Sequence, residues 1–399
     1  MSERLRTALI AWDYPPAPSG LSTAAREIAE SLAARDVAVT VFTLDRVGAS
    51  EVGGVTVRGI GLAPGSPLAR LRLWGSAGHL AAPLAFRRAV LEAHARRPFA
   101  CVEATNWYAP ASLLTGAGPP LVTRNSTPAA FTRGPATSIR DRLDGLAADR
   151  LERRQARGSA GLISNTGDHA DRIADLYGIP ARQPHAVIGL SLPPETLERG
   201  RAALYPDSLD GPVRLLFVGR AEARKGFDLL LSAAARLGAE QEAGTLPAFE
   251  IVLVGVPEAD LPRDLAPAAR GCLRALGRID GASLADAYGR AHAVLAPSRY
   301  ESFGLVYQEA LAYGRPVVAC AEDASARAFV GRPGAGLLAR DATGAALADA
   351  IRPILREPAL RQRLRARALA ASGAFDRARL GAETLALYER AIAASRQGR

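Results

Sequence analysis

Short apolar runs alternate along this chain with longer stretches whose apolar positions recur every three or four residues, the signatures of buried strands and amphipathic helices. Residues 5–12 predict a first strand, residues 13–20 a turn-rich loop, and residues 23–35 a helix capped by Ser22 or Thr23. Further strands are expected at 38–44, 99–103, 121–123 and 161–165, with helices over 139–157 and 168–177. The weakly patterned, Pro- and Gly-rich stretch 188–212 reads as a linker. The rhythm then restarts, with strands at 213–218, 251–254, 273–276, 294–296 and 316–319. Helices are expected at 227–237, 283–290, 304–313 and 344–356, and a last amphipathic one at 376–394. Continuous apolar strands between helices imply parallel sheets covered on both faces. The fold class is therefore α/β: two doubly wound, Rossmann-like domains facing each other across a cleft. The divisions fall at residues 1–195, 196–375 and 376–399.

Composition narrows the setting. A chain of 399 residues exceeds one ordinary core, and its composition, 48% hydrophobic, is globular. Cys101, Cys272 and Cys320 are far apart and lack partners at metal spacing, so a reducing cytoplasm without disulfides or structural zinc is expected. Residues 1–10 have no signal-peptide core, and no run approaches the length that spans a membrane. The net charge of +10 invites nucleic acid as a partner, but its arginines are scattered and no nucleic-acid motif accompanies them. Residues 68–97 interleave arginine with Leu, Trp74, Phe86 and Val90. That pattern admits weak peripheral membrane association, although a helix with its apolar face in the core explains it as well. His169 and His292 read as ordinary helix or core residues.

Charge becomes informative at one position. Lys225 is the only lysine among fifty basic residues. It lies in a loop, Gly219–Gly226, between an apolar strand and a helix, with Arg220 beside it. A compact cation and an arginine at the carboxyl end of a strand, next to a helix start, suit a phosphate dianion. Downstream, Glu301 and Glu309 bracket Ser302-Phe303-Gly304-Leu305, a turn that opens a helix. Glu309 stands among apolar neighbours and needs a partner, such as a pair of ligand hydroxyls. The backbone N–H groups of Phe303, Gly304 and Leu305 favour an anion.

This segment resembles the E-x7-E signature of retaining glycosyltransferases of the GT-B fold, family 4, and the similarity spans nearly the whole chain. Gly219-Arg220 with Lys225-Gly226 is similar to that family's phosphate-binding pair. Gly277-Arg278-Ile279-Asp280 resembles its base-recognising loop, and residues 15–20, with Gly20, its first-domain glycine loop. The resemblance implies an acceptor-binding first domain, a nucleotide-sugar-binding second domain, and a final helix that crosses back to the first. It implies transfer of a sugar from a nucleotide diphosphate sugar to an acceptor hydroxyl with retention of configuration. The acceptor is a small molecule, a glycan or a lipid-linked group. No metal or other cofactor is expected: Arg220 and Lys225 would stabilise the leaving diphosphate, Glu301 would bind the donor sugar and Glu309 the ribose. Gly20, Gly219, Arg278, Ile279, Ser302, Phe303, Gly304 and Leu305 would complete the donor site.

The chain also departs from the family's pattern. Arg124 or Asn125 stands where a histidine is common, and both are assigned to the acceptor. Residues 188–191 replace the usual linker motif, and residues 320–327 replace a Gly-Gly pair. A sugar-nucleotide epimerase and a non-catalytic sugar-nucleotide-binding subunit are the competing readings.

Overall fold

The computed structural model describes residues 4–17, 19–62, 65–71, 74–206 and 211–397. Pro18 of the glycine loop, residues 72–73 of the basic stretch and 207–210 of the expected linker lie outside the described residues. The chain forms two compact units, Met1–Ser191 with Asp376–Arg399, and Leu192–Phe375. The first division falls four residues earlier than the sequence placed it. Ile188 N–H donates to the Ser164 carbonyl at 2.8 Å and Ser191 Oγ to Glu27 at 2.7 Å, both within the first unit. Leu192 N–H instead donates to the Phe375 carbonyl, and its side chain is buried in the second core.

The first unit contains β1 (Arg6–Ala11), β2 (Ala38–Thr43), β3 (Val47–Val52), β4 (Val55–Ile60), β5 (Cys101–Thr105), β6 (Leu121–Arg124), β7 (Gly161–Ser164) and β8 (His185–Val187). They form one sheet in the order β3-β4-β2-β1-β5-β6-β7-β8, parallel except for the β3–β4 hairpin. That hairpin is absent from the sequence reading. Every residue of β3 is exposed, so no apolar run betrays it. The Gly53-Gly54 pair between its strands is the turn signal that marks it. The first helix, Gly20–Ala33, starts earlier than expected: its cap is Ser19, whose Oγ accepts the Ser22 N–H at 3.0 Å. In the basic stretch, the helix Ala81–Arg96 turns Phe86 and Val90 into the core, while Trp74 ahead of it is exposed. The apolar face that suited a membrane surface is thus largely spent on packing.

The last helix, Arg377–Gln397, packs on Gly20–Ala33 in this unit. Arg377 pairs with Glu27 and, at 2.7 Å, with Glu30.

The second unit contains β9 (Val213–Val218), β10 (Phe249–Val254), β11 (Leu273–Gly277), β12 (Ala293–Ala296), β13 (Val317–Cys320) and β14 (Gly336–Ala339). All are parallel, in the order β11-β10-β9-β12-β13-β14. The helices Phe227–Glu242 and Gly344–Arg356 cover one face through Leu230, Leu237, Leu347 and Ile351. Tyr288, Tyr307 and Leu311 cover the other. Residues Pro194–Ala202 form a helix where a linker was expected. The helix Pro358–Ser372 and β14 are likewise additions to the sequence reading.

Candidate donor site of the second unit

β9 has β10 on one side and β12 on the other, so the crossovers run in opposite directions from it. In such sheets ligands bind beyond the carboxyl ends of the strands at this reversal. The loop after β9 carries Gly219, Arg220 and Lys225, and the loop after β12 carries Ser298 to Gly304. Both therefore emerge at the same place.

Gly226 decides how closely these loops meet. It has φ +69°, and a Cβ there would stand 1.9 Å from the Pro297 carbonyl oxygen. Only glycine lets the turn Ala223–Lys225 lie directly on the β12 loop. Arg299 N–H donates to the Arg224 carbonyl at 2.9 Å, and the Arg299 guanidinium reaches Asp228 at 2.6 and 2.7 Å, clamping the contact.

Across it, Lys225 Nζ lies 2.6 Å from Glu301 Oε1, which also accepts Ser298 Oγ–H at 2.7 Å. Arg224 stands 3.7 Å from Glu301 Oε2 and donates to the Tyr300 carbonyl at 3.1 Å. Arg220, expected to act with Lys225, lies at the rim: its side chain is 73% exposed and pairs with Glu222 at 2.8 Å.

Behind Glu301 is a carboxylate that the sequence did not reveal. Buried Asp323 accepts the Glu301 N–H at 2.8 Å, the Tyr307 hydroxyl at 2.8 Å and the Ala326 N–H at 3.0 Å. Burial pushes its carboxyl up to about 6, the three donors opposing that rise only in part. Ser325 Oγ–H closes the arrangement on the Glu301 carbonyl at 2.7 Å. Asp323 lies in residues 320–327, where the sequence showed only that a Gly-Gly pair was missing.

Glu309 is the fifth residue of the helix Leu305–Ala312, which starts after Gly304. Its Oε2 accepts the Tyr288 hydroxyl at 2.8 Å, so it has a protein partner as well as any ligand hydroxyl. Burial raises its pKa, while the Tyr288 hydrogen bond and the charge of Lys225 lower it. Ser302 and Phe303 are buried, Phe303 edge-on to Phe329 with ring centroids 6.4 Å apart. Arg278 is exposed, and Ile279 packs on the core that holds Tyr288.

In the first unit Gly20 is exposed at the start of its helix. The two residues assigned to the acceptor both lie in the core. Arg124 is buried, with Nε 2.7 Å from Glu103 and Nη2 2.9 Å from Thr384 Oγ1, and Tyr388 also donates to Glu103 at 2.7 Å. It fastens the last helix to the sheet. Asn125 is buried too: its N–H donates to the Ile163 carbonyl at 2.7 Å and its Nδ2 to Ser164 Oγ at 3.0 Å. A polar residue ending a buried parallel strand is drawn into the core when a partner waits there.

Comparison with known proteins gives the arrangement its lineage. Residues 19–190 match the model of the glycosyl transferase 4-like domain and residues 207–370 that of glycosyl transferases group 1. The chain is 33% identical over 413 residues to D-inositol 3-phosphate glycosyltransferase of Kineococcus radiotolerans, covering 94% of this chain and 91% of that one. Over 188 residues it is 37% identical to phosphatidyl-myo-inositol mannosyltransferase of Mycolicibacterium smegmatis, 45% of this chain and 47% of the relative. Sucrose-phosphate synthase from Thermosynechococcus elongatus shares the fold, with a TM-score of 0.75 and 23% identity over 98% of this chain and 100% of that one. The chain belongs to the family 4 glycosyltransferases of the GT-B fold.

Proposed function

We propose that the protein transfers a sugar from a nucleoside diphosphate sugar to a hydroxyl of a cyclitol phosphate or related polyol, with retention of configuration and without a bound metal. The observation that carries this reading is the 2.6 Å pairing of Lys225 with Glu301 beyond β9 and β12. The lysine suits the diphosphate and the carboxylate suits sugar hydroxyls. Glu309, held by Tyr288, suits the ribose.

The hard step is departure of the nucleoside diphosphate. Lys225, with Arg220 and Arg224 on the same loop, would neutralise the charge growing on it, the kind of stabilisation worth most in a dry site. The acceptor hydroxyl then enters on the face the diphosphate leaves, and a phosphate oxygen takes its proton. The acceptor class follows the relatives, which include D-inositol 3-phosphate glycosyltransferases. A cytoplasmic setting is part of the reading and agrees with three free, buried thiols.

The test is incubation of UDP-, GDP- and dTDP-sugars with myo-inositol 3-phosphate in the presence of EDTA. Proton NMR of the product then reads the anomeric configuration. A retained anomer formed in EDTA is expected. An inverted anomer contradicts retention, and loss of activity in EDTA contradicts metal independence. A new free sugar formed without acceptor supports an epimerase instead.

A further inference from the structure

The first unit holds a buried carboxylate that the donor chemistry does not use. Glu152, on the helix Ile139–Arg157, is 1% exposed. Its Oε1 accepts the Tyr108 N–H at 2.9 Å and the Ala129 N–H at 3.1 Å, and its Oε2 accepts the Tyr177 hydroxyl at 2.7 Å. Tyr108 belongs to the loop after β5 and Ala129 to the loop after β6. A second tie joins the same loops: Asn106 Oδ1 accepts the Ser126 N–H at 2.7 Å, while Asn106 Nδ2 donates to Tyr177 Oη at 3.2 Å. One turn along the helix, Gln155 accepts the Ala111 N–H and donates to the Thr105 carbonyl, both at 2.8 Å.

The loop held in this way is strained. Tyr108 and Ala109 have φ +53° and +45°, in the left-handed region that side chains disfavour. Such residues carry a strain cost and persist only where their surroundings over-determine them. The loop also carries an aromatic wall. Trp12 Nε1–H, just past β1, donates to the Trp107 carbonyl at 2.9 Å, and His79 stacks on Tyr108 with centroids 5.6 Å apart. β1 lies between β2 and β5, so this wall stands at the crossover reversal of the first sheet.

We propose that Glu152 is a positioning residue for the acceptor: its carboxylate holds the loops after β5 and β6 in the one geometry that receives it. The inference rests on the glycosyltransferase reading, in which the first unit binds the acceptor. Three donors converge on two oxygens, an arrangement that suits the ionised carboxylate. A proton on Oε1 competes with the Tyr108 and Ala129 N–H groups, and one on Oε2 with the Tyr177 hydroxyl and the longer Ala129 contact at 3.3 Å, so either loosens a loop that strain already opposes. Burial has pushed Glu152 up to about 7, so the clamp is complete above that pH and weakens below it. Other ionisable groups facing these loops are Tyr177, Asp149 with its partner Arg133, Arg154 on the Ser112 carbonyl, Arg172 over Phe131, His169 at the Ser126 backbone, and His79 beyond Tyr108.

Tryptophan emission reads the loop directly, since Trp12 and Trp107 are two of the three tryptophans and Trp74→Phe removes the third. In that full-length background, emission should change with pH in one proton step near pH 7. His79→Gln should keep the step, and Glu152→Gln should abolish it. Tyr177→Phe removes a donor that stabilises the anion, so it should move the midpoint upward. This variant decides the matter if Glu152→Gln fails to fold. With myo-inositol 3-phosphate as probe, Glu152→Gln should raise the acceptor KM about tenfold and leave kcat and nucleoside diphosphate affinity unchanged, the loss of roughly one charged hydrogen bond. Emission indifferent to both substitutions overturns the clamp; a fall in kcat with an unmoved acceptor KM overturns its role toward the acceptor. A wild-type chain that binds donor but transfers to no acceptor counts against the functional reading, and emission then decides the clamp by itself.

Discussion

The two sheets reverse direction at equivalent strands, β1 between β2 and β5 in one unit and β9 between β10 and β12 in the other. Beyond β9 and β12 stands an ion pair, Lys225 with Glu301, set on a glycine turn and backed by Asp323. Beyond β1 and β5 stand Trp12 and Trp107 joined by a hydrogen bond, on a strained loop held from beneath by a buried glutamate. In the second unit the charges stand in the loops at the reversal itself. In the first, Asp13 and Asp45 also stand in loops but are turned onto the Ser19 hydroxyl and the Tyr14 N–H, while Glu152 is withdrawn into the core and shapes backbone. One topology thus carries two kinds of loop, one set with an ion pair and the other with an aromatic pair on a clamped backbone.

The sharpest way to break this contrast is to treat a first-unit charge as though it were a site residue. Arg124→Leu leaves Glu103 buried without its cation, which should cost about 3–5 kcal/mol of stability by denaturant unfolding. A stable variant with a raised acceptor KM would return Arg124 to the acceptor site. Next is Lys225→Ala, expected to lower turnover about a hundredfold in steady-state kinetics, the scale for one lost transition-state charge stabiliser. An unchanged rate removes the electrostatic role of the second unit.

Glu309→Ala should weaken nucleoside diphosphate binding about tenfold by calorimetry, as befits one lost hydrogen bond to a charged group. Because that contact would act in ground and transition states alike, kcat should hold. A fall in kcat with affinity intact would instead move Glu309 to the reacting sugar.

The smallest effect concerns Asp323, whose carboxyl is raised from 3.8 to about 6 by burial. The folded state therefore binds this proton more tightly than the unfolded chain does. That contribution is fully present below about pH 4 and is lost as pH rises through 6. Asp323→Asn should flatten this part of the curve of melting temperature against pH; an unaltered slope refutes the assignment.

How legible each unit is in the sequence follows from the same contrast. Parallel strands such as β9 and β12 are buried on both faces and read as apolar runs, so they stand out. The exposed β3 does not, and Pro194–Ala202 hides behind its prolines. Lys225, Glu301 and Glu309 are visible because a charge beside a turn or among apolar residues is anomalous. Glu152 is invisible because it sits in Ile139–Arg157, a helix crowded with charge, where only three-dimensional burial separates it from its exposed neighbours. Arg124 and Asn125 are ambiguous for a related reason: a polar residue at a strand end looks the same in sequence whether it meets a ligand or packs in the core, where both side chains have partners.

The account is tested most directly by a crystal structure of the full-length protein with bound UDP or GDP. It predicts phosphate oxygens within about 3 Å of Lys225 Nζ, the distance of a charge-assisted hydrogen bond, and ribose hydroxyls on the Glu309 carboxylate. A diphosphate seated away from Lys225, with the ribose on a different carboxylate, would contradict it.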